Sequence, residues 1–141
     1  MSRLRLPSED HVARLCREAS ISNGRVRGAA FALKVKDEGE LSVNWVQCQH
    51  VDPSERTIEA AIVRLRAVTR SSQFVAILNV SEVREVEYRG KNLDVIDTSH
   101  PKNLCHCSII GMDMGPECFL AQKELADLAN NNPIHRLEVE A

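Results

Sequence analysis

Glu40-Leu41-Ser42-Val43-Asn44-Trp45-Val46-Gln47 is followed, after a short break, by Asp52-Pro53-Ser54-Glu55. The first run alternates: Leu41, Val43 and Trp45 share one face and Ser42 and Asn44 the other, the pattern of a strand with one buried side. The second run reads as a helix start, in which Asp52 caps the free amides, Pro53 suits the first helical position and Glu55 stands three residues after the cap. Ile58, Ala61, Ile62, Leu65 and Val68 then recur three and four apart, which predicts one apolar stripe on a helix over 53–69. Both patterns recur irregularly along the chain, so the fold class is α+β: a mixed or largely antiparallel sheet of about five strands with two main helices packed on it.

Upstream of this pair, residues 1–10 read as an irregular arm. The spacing of Val12, Leu15, Cys16 and Ala19 suggests a short amphipathic helix over 11–21, broken at Ser22-Asn23-Gly24. Ala29 to Val35 reads as a strand and Asp37-Glu38-Gly39 as the turn that joins it to the strand at 40–47 in a hairpin. Downstream, Ser71-Ser72 ends the long helix, and Phe74-Val75-Ala76-Ile77-Leu78 is a continuous apolar run that suits a central strand buried on both faces. Residues 79–88 fit either a short helix around Val80 and Val83 or a strand from Val83 to Tyr88. Arg89-Gly90-Lys91-Asn92 is a turn, and 93–96 and 104–110 are short strands. A last helix over 116–129 carries Cys118, Ala121, Leu125 and Leu128 on its core side, with Asn130-Asn131-Asn132-Pro133 as its stop. The tail from Ile134 to Val139 is an edge strand or frays. With no repeat or linker in view, residues 1–141 are expected to form one globular domain.

Composition narrows the function. The charged fraction is 27%, the apolar fraction 43% and the formal net charge −2, ordinary values that favour neither nucleic acid nor an anionic membrane as partner. Phe31, Trp45, Phe74, Tyr88 and Phe119 are the aromatic residues, too few for a base-stacking platform. No run approaches the roughly 18 apolar residues of a membrane span. Five cysteines in no scaffold-like spacing read as reduced thiols in a cytoplasmic protein. There is no dinucleotide fingerprint, phosphate loop, nucleophile elbow or His-Glu-x-x-His element.

Three sets of residues could carry chemistry. Cys48, His50, Cys105 and Cys107 are of the ligand types that zinc prefers, although alternation puts Cys105 and Cys107 on one strand face and His106 on the other. His106 and Ser108 share a face and could contact one ligand, with His106 as a general acid or base near neutral pH. Arg25 and Arg27 flank the Gly24 turn and could bind an anion, or the turn is an ordinary loop. The arginines Arg56, Arg64, Arg66 and Arg70 lie off the helix stripe and read as a solvated face with pairs such as Glu59 and Arg66, or else as an anion-binding face. Asp94, Asp97 and His100 look like turn chemistry.

His106-Cys107-Ser108-Ile109 resembles half of the signature of the two-histidine phosphoesterases, in which two such elements supply acid and base. The contexts of His11, His50, His100 and His135 do not supply the second element. Ala30-Phe31, Leu41-Ser42-Val43-Asn44-Trp45 and His106-x-Ser108-Ile109-Ile110-Gly111 together resemble a family of short bacterial proteins to which no activity attaches, so a bacterial origin follows from the resemblance and no mechanism does. The leading expectation is a small accessory or regulatory binding module acting through a protein partner, with no membrane and no required cofactor. Against it stand a His-dependent phosphodiesterase or nuclease, with His106 as acid/base, Ser108 and an arginine on phosphate and His50 as second base, and a zinc-stabilised interaction domain.

Overall fold

The structure is a computed structural model and describes residues 4–68 and 74–137. Arg70, the Ser71-Ser72 stop and the tail beyond 137 lie outside the described residues, as does the side chain of Val68. In chain order the elements are β1 (His11–Cys16), β2 (Ile21–Ser22), β3 (Arg25–Val26), β4 (Glu40–Trp45), α1 (Ile58–Val68), β5 (Phe74–Asn79), α2 (Val80–Val83), β6 (Glu87–Tyr88), β7 (Lys91–Asn92), β8 (Asp94–Asp97), β9 (His106–Ile110), α3 (Phe119–Asn130) and β10 (His135–Arg136). Six strands form one sheet in the order β10-β5-β1-β4-β9-β8, and every pairing is antiparallel. The α+β expectation therefore stands, with one strand more than anticipated.

The expected helix over 11–21 is a strand instead. Val12 and Cys16 belong to the core on one face, while Ala13 and Leu15 pack into a separate cluster on the other. Apolar residues on both faces of a strand mimic the three-and-four spacing of a helix, and pairing with β4 and β5 on both edges decides the outcome. Arg14 points toward the first face, and its guanidinium donates to the carbonyls of Ala30 at 3.0 Å and Ser42 at 2.7 Å.

The hairpin expected from 29–47 does not form. Residues Gly28–Phe31 and Val35–Asp37 are short 3-10 turns, and β4 lies between β1 and β9. Small side chains at 28–30 let this segment lie against α3: a Cβ added at Gly28 would stand 3.4 Å from the backbone nitrogen of Lys123. Phe31 is thereby fully buried while Val35 is exposed. The turn before β4 does hold, with Glu38 and Gly39 both at positive φ, and Leu41, Val43 and Trp45 are buried as the alternation requires.

The helix start also differs in detail. Asp52 makes no side-chain cap, and Pro53–Glu55 is a separate 3-10 turn. The hydroxyl of Thr57 accepts from the amide of Ala60 at 3.1 Å and caps α1. Arg56, between the two turns, donates to the carbonyls of Cys48, Val51 and Gln49. Arg64 donates to those of Glu55 and Val46. These two arginines thus hold loops rather than face solvent, and no ion pair joins Glu59 to Arg66 among the described residues.

The remaining ambiguities resolve simply. Residues Val80–Val83 are helical, and β6 and β7 pair around Arg89 and Gly90, both at positive φ. The tail adds β10 to the edge of β5. Among the described residues the arm is irregular apart from a bridge of Arg5 to Ile96, yet it is tied down: Leu6 donates to Val95 O at 3.1 Å, Asp97 donates to Leu4 O at 2.7 Å, and Arg84 clamps Asp94, Ser8 and the Leu6 carbonyl. α3 covers one face of the sheet through Cys118, Ala121, Leu125 and Ala129. α1 covers part of the other through Ala61, Ile62 and Leu65, over Ala13, Val75 and Ile77.

Among the described residues no helix is long and apolar enough to cross a membrane. Truncating Phe31 to Ala should cost about 3–5 kcal/mol of unfolding free energy, whereas Val63→Ala, on the exposed side of α1, should stay within about 0.5 kcal/mol. Urea denaturation of the two variants checks this. Equal losses would mean that the 28–31 turn is not part of the core.

Candidate functional site

The sheet face under α1 changes character along its width. Register places Ala13 opposite Asn44 and Asn44 opposite His106, and Ser42 opposite Ser108 and Ser108 opposite Ile96. Residues directly across a ladder share a face. The apolar floor of β5 and β1 therefore gives way to Ser42 and Asn44 on β4 and His106 and Ser108 on β9, with Thr98 just beyond β8.

These side chains form a continuous hydrogen-bonded chain. The Nε2 of His106 lies 3.0 Å from Ser42 Oγ. Its Nδ1 lies 2.8 Å from Thr98 Oγ1 and 3.3 Å from the Thr98 carbonyl, and Thr98 Oγ1 lies 2.8 Å from Ser108 Oγ. A carbonyl can only accept, so its approach to Nδ1 selects the tautomer with the proton there and leaves Nε2 to accept from the Ser42 hydroxyl. Ser42 is exposed, His106 half-buried and Ser108 only 1% exposed. A hollow of about 290 Å³ opens over the chain, with Lys36, Asp37 and Glu40 at its rim.

Burial lowers the His106 pKa below its ordinary 6.5, and the ring of His100 adds to this; the Thr98 carbonyl, Glu40 and Asp97 oppose it. The two rings stand 5.3 Å apart between centroids and are tilted. The imidazole is therefore held neutral near pH 7, as a hydrogen-bonding group rather than a charge.

His106 and Ser108 thus come together as their shared strand face implies. His50 does not join them. It lines a separate groove with Arg64, Lys102 and Cys105, which removes it as a second base for His106. Arg25 and Arg27 are exposed at the β2–β3 hairpin, whose Val26 amide and carbonyl are tied to the side chain of Asn130. They line none of the hollows described here.

The expected ligand set of Cys48, His50, Cys105 and Cys107 is overturned by the sulfurs themselves. Cys48 and Cys105 form a disulfide, their Cα atoms 5.4 Å apart, and sulfurs bonded to each other are not thiolate ligands. Cys107 is wholly buried, its thiol pushed up to about 12 by burial first and by Asp97 next. Among the described residues no three His, Cys, Asp or Glu side chains converge as a metal site. The expectation of uniformly reduced thiols is corrected likewise, with Cys16, Cys107 and Cys118 remaining free. Asp94 and Asp97 diverge: the first pairs with Arg5 and Arg84, and the second accepts from the Ser99 amide in a turn.

Ser42 and Thr98 are members of the chain that the sequence did not single out. Alternation put Ser42 on the polar face of β4, but only the β4–β9 register brings it to His106. The chain matches no family model, no curated protein and no solved structure, so the resemblances of the His106 and Leu41–Trp45 runs gain no support and the site rests on its geometry.

Because folding lowers the His106 pKa, the unfolded chain takes up this proton first. The stability contributed by the neutral imidazole is whole above pH 6.5 and falls as the solution is acidified through that value toward the folded pKa. A ring-proton NMR titration should place the His106 midpoint below 6.5, and His106→Gln should flatten the loss of urea midpoint on acidification. A midpoint above 6.5 would reverse the sign and the assignment.

Proposed function

We propose that the chain is a binding module that presents the Ser42–His106–Thr98–Ser108 strip to a protein partner. The observation that carries this reading is a row of polar side chains on a helix-free part of a sheet whose neighbouring strands are apolar. The row is rigidly ordered by its own hydrogen bonds, so little ordering cost falls on association. Its centre is neutral, and the exposed Ser42 hydroxyl oxygen, donating to His106, keeps lone pairs that can accept from a polypeptide amide. The rim carries one cation and two carboxylates, which disfavours a phosphodiester and suits a polypeptide of mixed charge.

One measurement favours a second reading. The exposed Ser42 hydroxyl lies 3.0 Å from His106 Nε2, with Nδ1 fixed by Thr98, the order of nucleophile, base and orienting group used in acyl transfer. In this reading His106 takes the Ser42 proton as Ser42 attacks an ester carbonyl. Ser108 orients Thr98 instead of holding phosphate, and His50 has no part.

A pair of experiments separates the two. The full chain carrying a photo-crosslinker in place of Asn44 should capture one protein from its native cell extract, and Ser42→Arg should abolish that capture while Val63→Arg leaves it intact. Equal capture by both variants would sink the binding reading. A fluorophosphonate probe should leave Ser42 unlabelled; labelling of Ser42 that is lost in His106→Ala would instead establish the hydrolase.

A further inference from the structure

A groove of about 510 Å³ opens between α1 and the 101–105 segment, on the side of the molecule that holds His50. Trp45, Ala61 and Leu65 supply apolar wall, and Arg64, Lys102 and the His50 imidazole supply polar groups. Among the described residues no carboxylate lines it. The Arg64 guanidinium is hydrogen-bonded to the carbonyls of Glu55 and Val46 and its charge is partly offset by the Glu55 carboxylate, so exposed Lys102 together with Arg64 gives the groove a positive field.

The disulfide sits asymmetrically in this groove. Cys105 is half-buried and lines it, whereas Cys48 is fully buried, does not line it, and has its sulfur 3.8 Å from the Leu104 carbonyl. Of the two cysteines, Cys105 is the one that borders the groove. Both backbones are also anchored independently of the sulfur bond. Arg56 holds the carbonyls of Cys48, Gln49 and Val51. On the other side, Cys105 O accepts from Trp45 N at 2.8 Å, and the Asn103 side chain bridges Cys105 N and Asn44. None of these contacts runs through the sulfur–sulfur bond.

We propose that Cys48–Cys105 is a thiol–disulfide exchange site, entered through this groove by a small thiol that carries a carboxylate. The incoming thiolate sulfur bonds to Cys105 Sγ, the Cys105–Cys48 bond breaks, and its electron pair leaves on Cys48 as a thiolate. The products are a mixed disulfide on Cys105 and a buried Cys48 thiolate, which either takes a proton from water or returns to Cys105 and expels the small thiol. No further oxidant or reductant enters. The carboxylate is placed by Lys102 and Arg64 and the apolar stem by Ala61 and Leu65. This site is separate from the His106 strip and stands or falls without it.

The test uses the full chain purified without reductant and three small thiols of different charge: mercaptopropionate, mercaptoethanol and cysteamine. Reactions under native conditions are quenched by alkylation and mapped by peptide mass spectrometry. The expected result is an adduct on Cys105 with Cys48 alkylated. At matched thiolate concentration, mercaptopropionate should react roughly tenfold faster than cysteamine, a gap that high salt closes. Lys102→Glu, a change at an exposed side chain, should reduce or invert that preference. In Cys48→Ser, the disulfide form of mercaptopropionate should leave a Cys105 adduct that no longer resolves. Adducts on Cys48, rates independent of thiol charge, or opening only in denaturant would each overturn the proposal.

Discussion

A strand that is apolar on both faces and paired on both edges has no place at a protein surface, and β1 is such a strand. Val12 and Cys16 need cover on one side and Ala13 and Leu15 on the other. Its backbone groups are satisfied only because β4 and β5 flank it. That requirement places α3 and the Gly28–Phe31 turn on one face and α1 on the other, and so makes a layered structure with two substantial helices among the described residues.

The same arrangement accounts for the polar strip. α1 runs for eleven residues, and its apolar stripe lies over Ala13, Val75 and Ile77. On the next strands across this face, beside Ile96, the polar groups satisfy one another through hydroxyl and imidazole contacts. A buried hydroxyl without a partner costs about 1–3 kcal/mol. Ser108, almost fully enclosed, meets that demand through Thr98, so the strip is a coupled set in which one substitution disturbs the next partner.

Much of this was legible in the sequence, and the gaps have definite causes. The alternation in 40–45 and the stripe of Ile58, Ala61, Ile62 and Leu65 point to their elements directly because each has one dominant period, and the run at 74–78 does so because it is short and wholly apolar. β1 was misread because two-sided burial blurs the periods of strand and helix. The 28–31 turn was misread because small residues that suit a strand also suit close approach to a helix. In the site, the shared face of His106 and Ser108 followed from alternation alone, as did the opposite facing of Cys107. Ser42, Thr98 and the Cys48–Cys105 bond depend on which strands are neighbours, information that local pattern does not contain. Arg56 and Arg64 looked like solvated charges because a guanidinium that seeks carbonyls leaves no periodic trace.

The pairing pattern also sets an order of events. One edge of β1 can pair with β4 early, but its second edge stays open until β5, far later in the chain, is made. The arm at Leu4–Leu6 docks only once β8 exists, and the Val26 turn receives its last hydrogen bonds from Asn130 at the end of α3. The early third of the chain is thus finished by the late third. Closing such long loops before their contacts repay the lost entropy slows the search, so during synthesis β1 keeps one edge open until β5 has emerged. The stretch that organises the finished fold is, for that interval, the stretch most exposed to misassociation.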